Sequence, residues 1–124
     1  VRQERAPLSR YLRVRQHRGH TVLEFLGEID IAAAEEIVPY LDAATAPPAP
    51  RIVIDLSPVE FFDASGLRLL YRARSRVLAR DGHLSLVCVH PPTLRVLRVV
   101  GLSRLLPPLP TLDDALRRPE SPAR

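Results

Sequence analysis

The run Arg51 to Leu56, RIVIDL, is apolar and largely β-branched on consecutive positions, yet too short for a helix. Side chains alternate across an extended chain, so such a run needs apolar cover on both faces, as at the centre of a sheet. The stretch DASGLRLLYRARSRVLARDG follows after the loop SPVEFF. In it Leu67, Leu70, Ala73 and Val77 form one stripe, while Arg72, Arg76 and Arg80 point elsewhere. Asp81-Gly82 closes this amphipathic helix, and His83 to Val89 reads as a second buried strand. Strand, helix and strand in that order predict an α/β fold with a mixed sheet and helices packed against it.

The flanking segments extend the pattern. Tyr11 to Gln16 and Thr21 to Leu26 are β-prone around a turn at Gly19, and Gly27 ends the second run. From Ile31 the period becomes helical, with Ile37, Leu41 and Ala44 in phase and Asp30 placed as N-cap. Pro39 should bend or weaken this helix, because proline lacks the backbone donor. Pro47 to Pro50 forms a rigid connector. Pro91 or Pro92 opens a further helix with Leu94, Leu97, Val99 and Val100 on its apolar face, and Gly101 stops it. Leu102 to Leu106 suits a short edge strand, and Thr111 to Arg118 a terminal helix capped by its threonine.

Several chemistries find no support in the sequence. With 124 residues and 46% hydrophobic positions the chain suits one core. It contains no apolar run of about eighteen residues, and the opening VRQERAPLSR is charged, which predicts a cytoplasmic chain without membrane insertion. The single cysteine, Cys88, lies in LSLVCV and reads as a buried structural thiol. The net charge is +4, but every basic side chain apart from histidine is arginine, and the arginines are dispersed. Only three Tyr and three Phe are available for base stacking, so no direct nucleic-acid contact is expected. His17, His20, His83 and His90 lack metal-type spacing, and the five isolated glycines form no phosphate loop. No metal site, cofactor or catalytic set emerges, and the expectation is a protein that is not an enzyme.

The informative segment is Phe61-Phe62-Asp63-Ala64-Ser65-Gly66-Leu67. Loop, acidic cap and helix start bring polar groups to the edge of a sheet, where open α/β folds present binding surfaces. Taken locally, Asp63 caps the helix and Gly66 permits close packing. One of the two phenylalanines must face away from the other on extended backbone, which offers one of them to solvent.

Gly27-Glu28-Ile29-Asp30, the buried run Ile52 to Leu56, Phe62 to Leu67 before a helix, and Val99-Val100-Gly101-Leu102 occur in the order found in STAS domains. Together they resemble the anti-sigma-factor antagonists, from about Leu12 to Leu116. The resemblance implies a mixed sheet of four or five strands with helices mainly on one side. The chain as a whole reads as a single domain over residues 11–118, with a flexible segment 1–10 and a disordered tail 119–124. The implied partner is an anti-sigma factor of the serine-kinase type, whose capture frees a sigma factor, with a weak homodimer left open. The implied partner surface comprises Glu28, Asp30, Phe62, Asp63, Ala64, Ser65, Gly66, Leu67 and Arg68.

In that family, phosphorylation of the serine directly after the aspartate stops partner binding. Here that position is Ala64, which lacks the hydroxyl. Ser65 is the remaining phosphoacceptor candidate, turned about 100° further round the helix. The expectation is an antagonist without the usual switch. The same resemblance allows a second reading, an accessory subunit of a bacterial lipid-transport ABC complex, because lone STAS domains also serve such transporters. A third is a scaffold in a stress-signalling assembly.

Overall fold

A computed structural model of the chain describes residues 9–117. The elements are β1 (Leu12–His17), β2 (His20–Phe25), β3 (Gly27–Ile29), α1 (Ile31–Ala44), β4 (Arg51–Asp55), β5 (Val59–Phe62), α2 (Ala64–Ala79), β6 (His83–Val87), α3 (Pro91–Val99), α4 (Leu102–Leu105), β7 (Pro108–Leu109) and α5 (Leu112–Arg117). Five strands form a mixed sheet in the order β1-β2-β4-β6-β7. β1 and β2 are an antiparallel hairpin, and the remaining neighbours run parallel. β3 and β5 form a separate parallel pair. The expected α/β architecture is therefore present. Of the outer segments, only Ser9 and Arg10 fall among the described residues, so the expectations for 1–10 and 119–124 otherwise lie outside them.

The pleat of β4 explains why RIVIDL is apolar throughout. Ile52 and Ile54 join Leu23, Phe25 and Leu86 in the principal core, against Ile37 and Leu41 of α1 and Leu70, Ala73 and Val77 of α2. Val53 points to the opposite face, where it joins Val22 and Val87 beneath Ala115 and Leu116 of α5. Among the described residues, helices therefore cover one face extensively and the other through α5 alone. Cys88 is 3% exposed, and burial pushes its thiol pKa up, as befits a structural residue.

Several local expectations are corrected. The loop expected at Val59 to Phe62 is strand β5, because β3 offers it a parallel partner. Gly27 does not end the extended chain; at φ 74° it redirects it into β3. Helix α1 continues through Pro39. The carbonyl that Pro39 cannot bond belongs to Glu35, an exposed residue whose surroundings are solvated. Leu102 to Leu106 is no edge strand: the Leu106 N–H donates to the Leu102 carbonyl at 2.8 Å, closing the turn of α4. The edge position goes to Pro108–Leu109, where proline suits an edge that needs no donor. On α3 the buried residues are Thr93 and Leu97, whereas Val99 and Val100 are exposed. On α2 the stripe is rotated, so that Leu69 is buried and Leu67 only half-buried.

Candidate functional site

The short β3–β5 pair brings two helix starts together. Its register sets Glu28 opposite Phe61 and Ile29 opposite Phe62. The next residues, Asp30 and Asp63, leave the strands with nearly equal backbone angles and cap α1 and α2. The Asp30 carboxylate accepts a 3.0 Å hydrogen bond from the Ala33 N–H, and Asp63 one of 2.8 Å from the Ser65 N–H. The Asp63 N–H in turn donates to the Ile29 carbonyl at 3.4 Å, joining the two caps. Each cap satisfies a backbone donor that the first helical turn cannot satisfy itself.

The lip formed in this way sorts the residues singled out by sequence into two layers. Glu28, Asp30, Ala64 and Arg68 are exposed, and Asp63 and Leu67 are half-buried. Phe62, Ser65 and Gly66 lie beneath them, with Phe62 at 7% and Ser65 at 6% exposure. The outward-facing phenylalanine is Phe61, at 50%. Gly66 has a specific packing reason, since a Cβ there would stand 2.5 Å from the Phe62 ring. Its absence lets the first turn of α2 rest on that ring.

Ala64 occupies the first turn of α2 at the surface. Ser65 is turned inward and its side chain is mostly covered.

Sequence reasoning missed two features here. Ile31, the first residue of α1, is 63% exposed. Its signal was its phase: it falls off the Ala33, Ile37, Leu41 row that forms the buried stripe. The second is a groove of about 720 Å³ between α1 and α2, lined by Ile31, Ala34, Val38, Leu69 and Tyr71 among others. At its closed end the helices are tied together. Arg72 makes two 2.7 Å bonds to the Asp42 carboxylate, and Arg76 donates to Thr45 Oγ1 at 2.7 Å and to the Asp42 carbonyl at 2.9 Å. The Arg72 hydrogen bond holds the Asp42 carboxyl below its ordinary pKa, although burial opposes this. Among the described residues no group of three or more His, Cys, Asp or Glu side chains is arranged to hold a metal ion. No helix of those residues is long and apolar enough to cross a membrane.

The sequence and fold resemble those of known proteins throughout this region. The STAS domain family model matches residues 11–115. The anti-sigma-F factor antagonist RsfB of Mycobacterium tuberculosis is 33% identical over 111 residues, covering 90% of each chain. A crystal structure of an anti-sigma factor antagonist from Mycobacterium paratuberculosis superposes with TM-score 0.79 at 37% identity, covering 90% of this chain and 94% of that one. An anti-sigma-factor antagonist (STAS) domain protein from Planctomyces limnophilus gives TM-score 0.76 at 29% identity, covering 85% and 94%.

Proposed function

This chain belongs to the STAS domain family, and from that premise we propose that it is an anti-sigma-factor antagonist. Its partner is an anti-sigma factor of the serine-kinase type, and its binding releases a sigma factor. The binding surface is the lip of Glu28, Asp30, Asp63, Ala64, Leu67 and Arg68, supported from below by Phe62, Ser65 and Gly66.

The observation that carries this reading is the paired helix start. A single short strand pair carries two capped helices, an exposed apolar ring and several charges, each helix following its strand through one capping residue. Such a preorganised surface loses little conformational entropy on docking. The chemistry present is recognition chemistry: carboxylates, one guanidinium and apolar rims.

Ala64 gives the proposal its regulatory content. A phosphate at this position would add nearly two negative charges beside Asp63, favourable toward the helix N-terminus but repulsive toward the carboxylate and bulky at a contact. Alanine removes that option, and the inward Ser65 is a poor substitute acceptor. The antagonist is thus permanently competent, and control passes to its abundance or to its partner.

The test is capture of partners from the native lysate by the tagged chain, with mass spectrometry of both prey and bait. An ATPase of the histidine-kinase-like type, recovered with unmodified Ser65, is the expected result. Recovery of transporter subunits in its place would overturn the proposal. With the purified partner, Asp63→Lys and Leu67→Glu should each weaken binding about tenfold or more.

A further inference from the structure

Arg68, Arg72, Arg76 and Arg80 recur every fourth residue and therefore form one row along α2. Three of them are committed to α1 and the connector that follows it. Arg80 donates to the Ala46 carbonyl at 3.1 Å, Arg76 to Thr45 and the Asp42 carbonyl, and Arg72 to the Asp42 carboxylate. Arg68, the row's last member toward the helix start, makes no hydrogen bond or ion pair with any described residue. At this point the seam between the helices opens into the groove. Glu35 lines the same groove without an ion pair to Arg68. The space between holds apolar surface from Ala34, Val38 and Leu69, with Ile31 and Tyr71 exposed at the rim.

We infer that the binding surface continues from Arg68 into this groove, which receives an apolar side chain and a neighbouring carboxylate from the anti-sigma factor, the carboxylate pairing with Arg68. The inference rests on the reading given under Proposed function and extends it beyond the helix caps. The pairing pattern selects the occupant. Arg72 and Arg76 are turned to Asp42, whereas Arg68 faces the groove without such a partner. Of the three arginines lining the groove, Arg68 is the one with no bond to a described residue, and a bidentate carboxylate matches its planar fork. The apolar walls supply the contact that a charge pair in water lacks. Continuity supports the assignment, because Ile31 and Ser65 belong both to the groove and to the capped helix starts.

The test is titration calorimetry of the full chain against the captured anti-sigma factor. Arg68→Glu should weaken binding about tenfold and reduce its salt dependence. Ile31→Glu, an acidic change suited to a helix start, should also weaken binding while preserving the thermal midpoint. Exchanging one acidic residue of the partner for lysine should restore affinity to Arg68→Glu specifically. If both variants bind within about twofold of the parent while Asp63→Lys does not bind, the groove is no subsite and the antagonist reading survives. If the parent chain does not bind the anti-sigma factor, both proposals fail. Self-association that Arg68→Glu abolishes would assign the groove to a second copy and overturn the inference.

Discussion

Position 64 is where the proposed loss of a phosphorylation switch can be put to the test. Ala64 is exposed in the first turn of α2, beside the Asp63 cap, whereas the next hydroxyl, on Ser65, is turned inward. With the cognate kinase and ATP, Ala64→Ser should therefore take up one phosphate and lose partner affinity, while the parent chain remains unmodified; intact-mass spectrometry reads both states. The capping role of Asp63 can be measured apart from partner binding. Asp63→Ala should cost about 1 kcal/mol in urea unfolding, the usual penalty of a lost N-cap. Gly66→Ala should cost about 1–3 kcal/mol, because the added methyl meets the buried Phe62 ring and displaces it. The sequence motif contained all of these residues, but not their layering. Which phenylalanine faces out depends on the register of β5 against β3, and no local spacing encodes it.

Among the elements, the parallel α1–α2 pair is joined by polar contacts at one end and open at the other. The Asp42 carboxyl has a depressed pKa, chiefly through its hydrogen bond from Arg72. A group whose folded pKa lies below its unfolded one stabilises the fold above the unfolded pKa and loses that contribution as pH falls through the folded value. The stability difference between the parent chain and Asp42→Asn should thus stay constant from neutral pH to near pH 5, then shrink below the usual carboxylate value of 3.8; thermal melts across pH give the curve. Long elements with clear periodicity were legible: α2 and the central strand β4 follow from their apolar stripes. The short ones were not. β5 has burial at its ends and exposure at Glu60 and Phe61, which matches neither a period of two nor a helix. Leu102 to Leu106 is rich in leucine and fits both periods, and the turn of α4 prevails through its own hydrogen bond.

For the molecule as a whole, the sheet separates a large core from a small one. Helix α5, six residues long, closes the small core by setting Ala115 and Leu116 on Val22, Val53 and Val87. So short a helix has little stability of its own and holds its shape through that contact. Leu116→Ala should therefore lower the global unfolding free energy by about 2 kcal/mol, measured by denaturant titration, and should loosen amide protection along β7. The sequence by itself determined the α/β class, the central position of β4, both aspartate caps and the alanine that follows the second of them. Each of these follows from the periodicity or chemistry of residues close together in the chain. The tertiary structure alone decided the pairing of β3 with β5, the inward turn of Ser65, the exposure of Ile31 and which arginines of the row bond to α1 and its connector. These depend on which distant segment packs alongside, and the arginines of α2 find their partners some thirty residues away on α1 and its connector.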